Sequence, residues 1–400
     1  MPAPTVRNVK ILHTSDWHLG RTLHSFDLHD HQEIFLDHLV EVVKERKVDA
    51  LLVSGDVYDR AYPAVETVRL LSRTLTRLSE ITTVIVTPGN HDSATRLGFG
   101  SDLMRDSVRI LASLEDLDRP VVLAGDGFDV AVYGLPYLDP DLARMPLRNE
   151  EGEFPPRSHE GVLTAAMNRV RSDLARRTNG DRPVRSVVMA HAFVIGGTKS
   201  PDSERDISVG GVDSAPSEVF DGVDYVALGH LHGPQKITVP HSTTLMRYSG
   251  SPLAFSIKEK DHKKSTVLLD FGPEGVPTFE LIPAPVPRPL KELTGTMAEL
   301  LDVDNAQWAD AWVVLRVTDA TYPESMQSRL RERFAHMLGV HYVGAAATTT
   351  GTAPVVTESM STLDVARQFV EFVTSAPPTE EELLVLRDAC DAANAKSLTA

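Results

Sequence analysis

The chain has one cysteine, Cys390, in 400 residues. An intrachain disulfide and a cysteine-based zinc cage are both excluded, and a reducing cytoplasm is the expected setting. Long apolar runs are also missing. The opening segment "MPAPTVRNVKILHTSD" holds only a short one that leads straight into polar residues. Neither a secretory signal nor a membrane anchor is therefore expected. Positive charge is scarce: 40 Lys and Arg against 56 Asp and Glu give a formal net charge of −16. That argues against gripping nucleic acid through a broad basic field. It leaves room for an enzyme whose bound divalent cations reverse the local sign. No G-x-x-x-x-G-K-[ST] motif occurs, so ATP hydrolysis at a P-loop is not expected of this chain.

What is present is the composition of a globular protein, 42% apolar and 24% charged, in a chain too long for one ordinary core. Apolar runs alternate with amphipathic stretches over the first ~270 residues, which predicts an α/β layered core. The strands are "KILHTS", "VDALLVSGD", "TTVIVTPGNHD", "VRSVVMAH" and "VDYVALGHLH". Helices are expected in "DHQEIFLDHLVEVVKERK", "AVETVRLLSRTLTRLSE" and "EGVLTAAMNRVRSDLARR". Short strands from Thr243 to Glu280 are read as part of the second sheet of a sandwich. The stretch Ile282 to Leu290, rich in proline, reads as a linker. Beyond it come a helical patch near Met297, the strand "AWVVLRV", a helix in "ESMQSRLRERFAHML" and the strand "VHYVGAA". The hinge "AAATTTGTAP" then leads to two helices, with capping-box spacing at Ser361/Asp364 and Thr379/Glu382. The domain boundaries expected are 1–284, 285–350 and 351–400.

Five apolar strands run out in metal-binding residue types: Asp16 and His18, Asp56, Asn90 with His91 and Asp92, His191, and His230 with His232. Ligands of open α/β sheets gather at the carboxyl ends of the strands, so these groups are expected on one rim of one sheet. Imidazole, carboxylate and amide oxygen without sulfur suit a borderline-hard divalent metal. Alternation in an extended segment would bring Asp16 beside His18 and His230 beside His232. Asp56, with two oxygens, can bridge. Seven ligands with one shared give four protein ligands to each of two ions, with positions left for water and substrate. Two such ions, roughly 3.5–4 Å apart, hold the attacking and leaving oxygens of an in-line phosphoryl displacement. A single strand-end His or Asp is usually a turn residue; the concurrence of five carries the reading.

The order D-x-H, G-D, G-N-H-D, lone His, G-H-x-H resembles the calcineurin-like metallophosphoesterase superfamily. The stretches "ILHTSDWHLGRTLH", "GDVYDR", "PGNHDSATRL", "DSERDISVGG", "DYVALGHLHGPQ" and "YSGSPLAFS" narrow the resemblance to its SbcD-type nucleases, from Val9 to Phe271 and more loosely beyond. The resemblance implies a four-layer α-β-β-α sandwich, a small α+β capping domain and C-terminal helices. It implies Asp16, His18, Asp56 and His232 on one metal and Asp56, Asn90, His191 and His230 on the other. The ions would be two Mn2+, with Mg2+ or other divalent ions possible. His91 would stabilise the transition state or protonate the leaving 3′ oxygen. The implied activities are 3′→5′ exonuclease action on double-stranded DNA ends and endonuclease action on hairpins. The implied partner is an SbcC-type ATPase subunit, in a heterotetramer built on a homodimer of this chain.

One departure stands out. Some relatives carry a second histidine three residues after the G-D aspartate, where this chain has Asp59. Asp59 is expected to orient His91 as a supporting carboxylate, with Arg60 touching a backbone phosphate. Smaller expectations are Asp92 as a turn-closing carboxylate, Arg96 on a helix surface or DNA, and His13 facing away from the metals. His24, His29, His31 and His38 are expected in packing or dimer contacts. "SIKEKDHKKS", with Lys258, Lys260, Lys263 and Lys264, reads as a solvated hairpin or a DNA contact. The C-terminal helices show an apolar face of Leu363, Ala366, Val370 and Val373 flanked by Phe369 and Phe372. The resemblance implies that it docks on the partner's coiled coil; packing on its own domain is the alternative. Two other functions stay open: a small-substrate metallophosphoesterase (phosphatase or cyclic-nucleotide phosphodiesterase) and a DNA-end tethering scaffold.

Overall fold

A computed structural model describes residues 7–104, 106–199, 214–274, 277–344, 360–374 and 377–397. The motif "DSERDISVGG" and the hinge "AAATTTGTAP" lie outside the described residues. The chain divides into two compact units, Met1–Leu290 and Lys291–Ala400.

The first unit holds two six-stranded sheets. In one, parallel strands Val9–Thr14, Ala50–Ser54, Thr83–Thr87 and Val108–Ile110 lie side by side. In the other, parallel strands Asp129–Gly134, Val184–His191, Tyr225–Gly229 and Leu245–Tyr248 do the same. Strand alternation sorts the apolar residues into layers. Val9, Ile11, Ala50, Leu52 and Ile85 meet Val130, Val132, Val187, Met189, Tyr225 and Ala227 between the sheets. Their neighbours Leu12, Leu51, Val53, Val84 and Val86 face outward, onto Phe35, Leu36, Leu39, Leu70 and Leu78 of the helices His29–Arg46 and Val65–Ser79. On the far side, Val162, Leu163, Ala166, Met167 and Val170 of the helix His159–Thr178 cover the second sheet. The unit is thus the expected α-β-β-α sandwich. Each fully buried Leu or Val contributes about 1.5–3 kcal/mol.

One expectation is corrected. Leu245–Tyr248 does join the second sheet, but Ser265–Phe271 and Thr278–Pro283 return to the first, where Ser265–Phe271 pairs antiparallel with Val9–Thr14. Alternation reports which residues face a core, not which sheet accepts the strand.

In the second unit, strands Leu290–Gly295, Trp312–Val317 and Met337–Tyr342 form a sheet. Its core is Val313, Leu315 and Val317 with Leu330 and Phe334. The helix expected through "ESMQSRLRERFAHML" stops at Arg333; Phe334 turns into this core and Met337 already belongs to a parallel strand. The last two helices are Thr362–Thr374 and Glu380–Ser397. Thr379 and Glu382 make a reciprocal capping box, and the Asp364 N–H donates to Ser361 Oγ at 3.1 Å.

Candidate metal centre

The five ligand-bearing strands all end at one rim, but of two sheets rather than one. Val9–Thr14, Ala50–Ser54 and Thr83–Thr87 come from the first; Val184–His191 and Tyr225–Gly229 come from the second. Glycines let the two rims touch. A Cβ on Gly229 would lie 1.8 Å from the Ser54 carbonyl, and one on Gly55 would lie 2.2 Å from His191 Nδ1. Parallel register pairs Gly229 with His191, which sets His230 beside it.

Left-handed backbone, not strand alternation, aims the ligands. Asp16, His18, Asp56 and His230 have φ of 54°, 43°, 50° and 104°. Each such residue costs on the order of 1–3 kcal/mol and persists only where the surroundings enforce it. Here the Asp16 and His18 N–H groups donate to the carbonyls of Gly55 and Asp56. Asp92 accepts the N–H groups of Val57, Tyr58 and Gly89 at 2.9–3.0 Å. It clips the G-D and G-N-H loops together, the turn-closing role expected of it.

All seven sequence-derived ligands converge. His18 Nε2 lies 3.1 Å from His232 Nε2 and 3.5 Å from Asp56 Oδ2. On the other flank of Asp56, His191 Nε2 lies 3.4 Å from the same Oδ2 and 2.9 Å from Asn90 Oδ1. Asn90 Oδ1 is also 3.3 Å from His230 Nδ1. Asp16 receives the His230 N–H on both carboxylate oxygens. Asp16, His18 and His232 form one group with mutually close donor atoms, and Asp16, Asp56 and His191 another.

The donor set fits divalent cations. The His191 Nδ1 faces the Ser54 carbonyl at 3.0 Å. A carbonyl only accepts, so Nδ1 carries the proton and a neutral ring turns the Nε2 lone pair to Asn90 and Asp56. His232 Nδ1 faces Glu259 Oε1 at 3.3 Å, and His18 Nδ1 faces Asp59 Oδ1 at 3.4 Å. Their Nε2 lone pairs then meet at 3.1 Å, an arrangement that a shared cation relieves. His230 Nε2 is buried without a hydrogen-bond partner among the described residues.

The electrostatics are set by burial and by the close approach of carboxylates and imidazoles. Burial pushes the Asp16 carboxyl up, Asp56 adding to it against His191 and His232. Burial also opposes the Asp56 charge, but His191, His18 and His91 hold that carboxyl well below its usual range. His191 is raised to about 9: burial works against its charge, and Asp56 and Asp16 outweigh it. Burial lowers His18 to about 3 and, with the His191 charge, takes His230 well below its usual value.

His91 sits at the rim, 9% exposed. Its N–H donates to Asp56 Oδ1 at 2.8 Å, and its Nδ1 lies 2.8 Å from the main-chain carbonyl of Asp59. The Asp59 carboxylate is 4.0 Å from His91 Nδ1, nearer to His18, and 3.6 Å from Arg21. So the Asp59 main chain, not its carboxylate, fixes the His91 tautomer. Burial favours the neutral form of Asp59, but His18 and Arg21 lower its pKa. Arg60 is largely exposed, with Nε 3.6 Å from Asp59 Oδ2. Arg96 stacks over Tyr62 at 3.6 Å. His13 points between the sheets, Nδ1 2.9 Å from the Tyr225 hydroxyl. His24, His29, His31 and His38 belong to none of the close donor groups found among the described residues.

Sequence reading missed three neighbours. Phe255 packs edge-on to His18 and His232. Ser15 Oγ donates to Asp16 at 2.5 Å. Glu259 lies behind His232. "YSGSPLAFS" signalled the first only as part of a motif, and Glu259 is hidden inside a charge run.

The family model for calcineurin-like phosphoesterases matches residues 9–234, more than half of the chain. The SbcD subunit of the SbcCD nuclease of Rhodobacter capsulatus is 35% identical over 297 residues, 70% of each chain. That of Escherichia coli K12 is 30% identical over 335 residues, 81% of each. The chain belongs to the SbcD family of calcineurin-like phosphoesterases. A second family model, described as the type 5 capsule protein repressor C-terminal domain, matches residues 286–374. Among solved structures, TT1561 of Thermus thermophilus aligns with 68% of this chain and 100% of its own, at 16% identity and a TM-score of 0.37. Membership of the phosphoesterases implies binding of divalent metal. No described helix is long and apolar enough to cross a membrane.

Proposed function

We propose that this chain is the nuclease subunit of an SbcCD-type complex, a manganese-dependent phosphodiesterase acting on double-stranded DNA ends and hairpins in the cytoplasm. The observation that carries the reading is the convergence of Asp16, His18, Asp56, Asn90, His191, His230 and His232 at one rim, in a member of the SbcD family. The resemblance assigns Asp16, His18, Asp56 and His232 to one ion and Asp56, Asn90, His191 and His230 to the other.

A pair of divalent cations held there would supply Lewis acidity toward a phosphodiester. Asp56 would serve both ions, and it orders the His91 main chain. His91, its Nδ1–H donating to the Asp59 carbonyl, presents Nε2 as the atom that, once it has taken up a second proton, would hand that proton to the departing 3′ oxygen. Arg60, exposed beside Asp59, would contact a backbone phosphate.

The C-terminal helices are the proposed dock for an SbcC-type ATPase, in a heterotetramer built on a dimer of this chain. Phe369 is 63% exposed and Leu363, Ala366 and Val370 are only half-buried; the side chains of Phe372 and Val373 lie outside the described residues. Deleting residues 356–400 should abolish co-purification with the ATPase and spare manganese-dependent cleavage. Retained association would refute the dock.

The test of function uses manganese, a labelled duplex and hairpin, and a chromogenic phosphodiester, with and without the ATPase. DNA cleavage lost in Asp56→Asn and His91→Ala supports the nuclease. Hydrolysis of the small ester alone would point to a small-substrate phosphoesterase. DNA binding without any hydrolysis would point to a tether.

A further inference from the structure

Among the lysines, Lys264 alone departs from the two readings of "SIKEKDHKKS". Lys258, Lys260 and Lys263 are exposed, but Lys264 is 7% exposed and Glu259 only 1%. Glu259 closes the short turn Ile257–Glu259, capped by the Ser256 hydroxyl. Its Oε1 lies 3.3 Å from His232 Nδ1, and its Oε2 lies 2.5 Å from Lys264 Nζ. The Lys264 ammonium also donates to the His232 carbonyl at 2.9 Å and to Ser251 Oγ at 2.8 Å.

A buried ion pair is weak evidence for stability, since an apolar pair of similar volume often does as well. What distinguishes this pair is its aim: the carboxylate reaches the His232 ring and the ammonium reaches the His232 main chain. An ionised carboxylate can only accept, so the shared proton stays on Nδ1 and the Nε2 lone pair is left for His18 and the space between them. The lysine offsets the charge of Glu259, so the ring is oriented without extra negative charge behind the centre.

We propose that Glu259 and Lys264 are positioning residues that set His232 as a ligand for one ion of the pair. The proposal rests on the metal-centre reading above. It resembles the general pattern in which a carboxylate behind a metal-bound histidine fixes its tautomer and angle.

The test is manganese binding to the full chain, followed by calorimetry and by electron paramagnetic resonance. Wild type should take two ions. Glu259→Gln should weaken one of them about 10–100-fold and leave the other within about threefold. Glu259→Gln/Lys264→Met, which removes both charges of the buried pair together, should do the same and carries the test if the single variant does not fold. Unfolding in EDTA separates a purely structural role. If the variants melt earlier without metal but bind both ions as tightly as wild type, the proposal is overturned. Equal weakening of both ions overturns it too. If wild type itself fails to bind two ions, the metal-centre reading falls first, and this inference with it.

Discussion

The two flanks of Asp56 are built from different materials. On one, carboxylates stand behind the imidazoles: Asp59 behind His18 and Glu259 behind His232. On the other, the supports are neutral: the Ser54 carbonyl behind His191 and the Asn90 amide beside His191 and His230. A carboxylate raises the basicity of its histidine and can be lost to substitution. A main-chain carbonyl is set by the fold and can be disturbed only by moving backbone. The first flank should therefore respond to side-chain changes nearby, and the second to changes in how the two sheets meet.

Asp56 lies between the flanks, its Oδ2 3.5 Å from His18 Nε2 and 3.4 Å from His191 Nε2, so its removal should erase the difference. Asp56→Asn keeps the size and can still accept the His91 N–H, which preserves the local fold. Phosphodiester hydrolysis should fall about a thousandfold or more, and calorimetry should show both manganese ions weakened. Activity within tenfold of wild type would count against a bridging role.

Gly229→Ala attacks the neutral flank alone. Its Cβ would sit 1.8 Å from the Ser54 carbonyl and 2.8 Å from His191 Nδ1, inside the hydrogen bond that braces His191. Backbone must shift, and urea unfolding should show a loss of about 3 kcal/mol. One ion should weaken while the ion beside His18 and His232 is retained. A variant as stable as wild type would mean that the sheets do not meet as described.

The paired histidines sharpen the contrast at side-chain level. His232→Ala should weaken one ion about a hundredfold and His230→Ala the other, although one residue separates them in the chain. Metal titrations showing equal loss of both ions, or of neither, would reject the division.

Much of this was legible in the chain. Short apolar strands ending in Asp, Asn or His point to the residues that converge at the rim, because few other reasons gather those types at five strand ends. The layers followed from alternation. The meeting of two sheets was not legible, since a strand's pattern does not say which sheet it joins, as Ser265–Phe271 demonstrates. Nor was the positive φ of Asp16, His18, Asp56 and His230: these residue types do not demand it, and long-range contacts impose it. Glu259 looked like any charge in a polar hairpin because its partners, His232 and Lys264, matter only once the chain has folded.

The smallest expected effect separates the flanks by pH. His191 is raised to about 9, so in metal-free protein it is protonated at neutral pH. Its ring must shed that proton before Nε2 can bind an ion. His18, lowered to about 3, has no proton to lose. Affinity for the ion beside His191 should rise about tenfold per pH unit at pH values below about 9 and level off above that. The sign reverses for stability. A histidine whose folded pKa lies above its unfolded value stabilises the fold fully below about 6.5, and that contribution is lost as pH rises through about 9. In EDTA the protein should therefore lose stability across that window, and saturating manganese should remove the slope by keeping His191 neutral throughout. Calorimetry in buffers of different ionisation enthalpy counts the proton directly. About one should leave with the ion beside His191 near pH 7.5, about half at pH about 9, and almost none a pH unit or more above that. No proton release at pH 7.5 would mean that Asp56 does not hold His191 charged, and the two flanks would then differ in their supports but not in their readiness for metal.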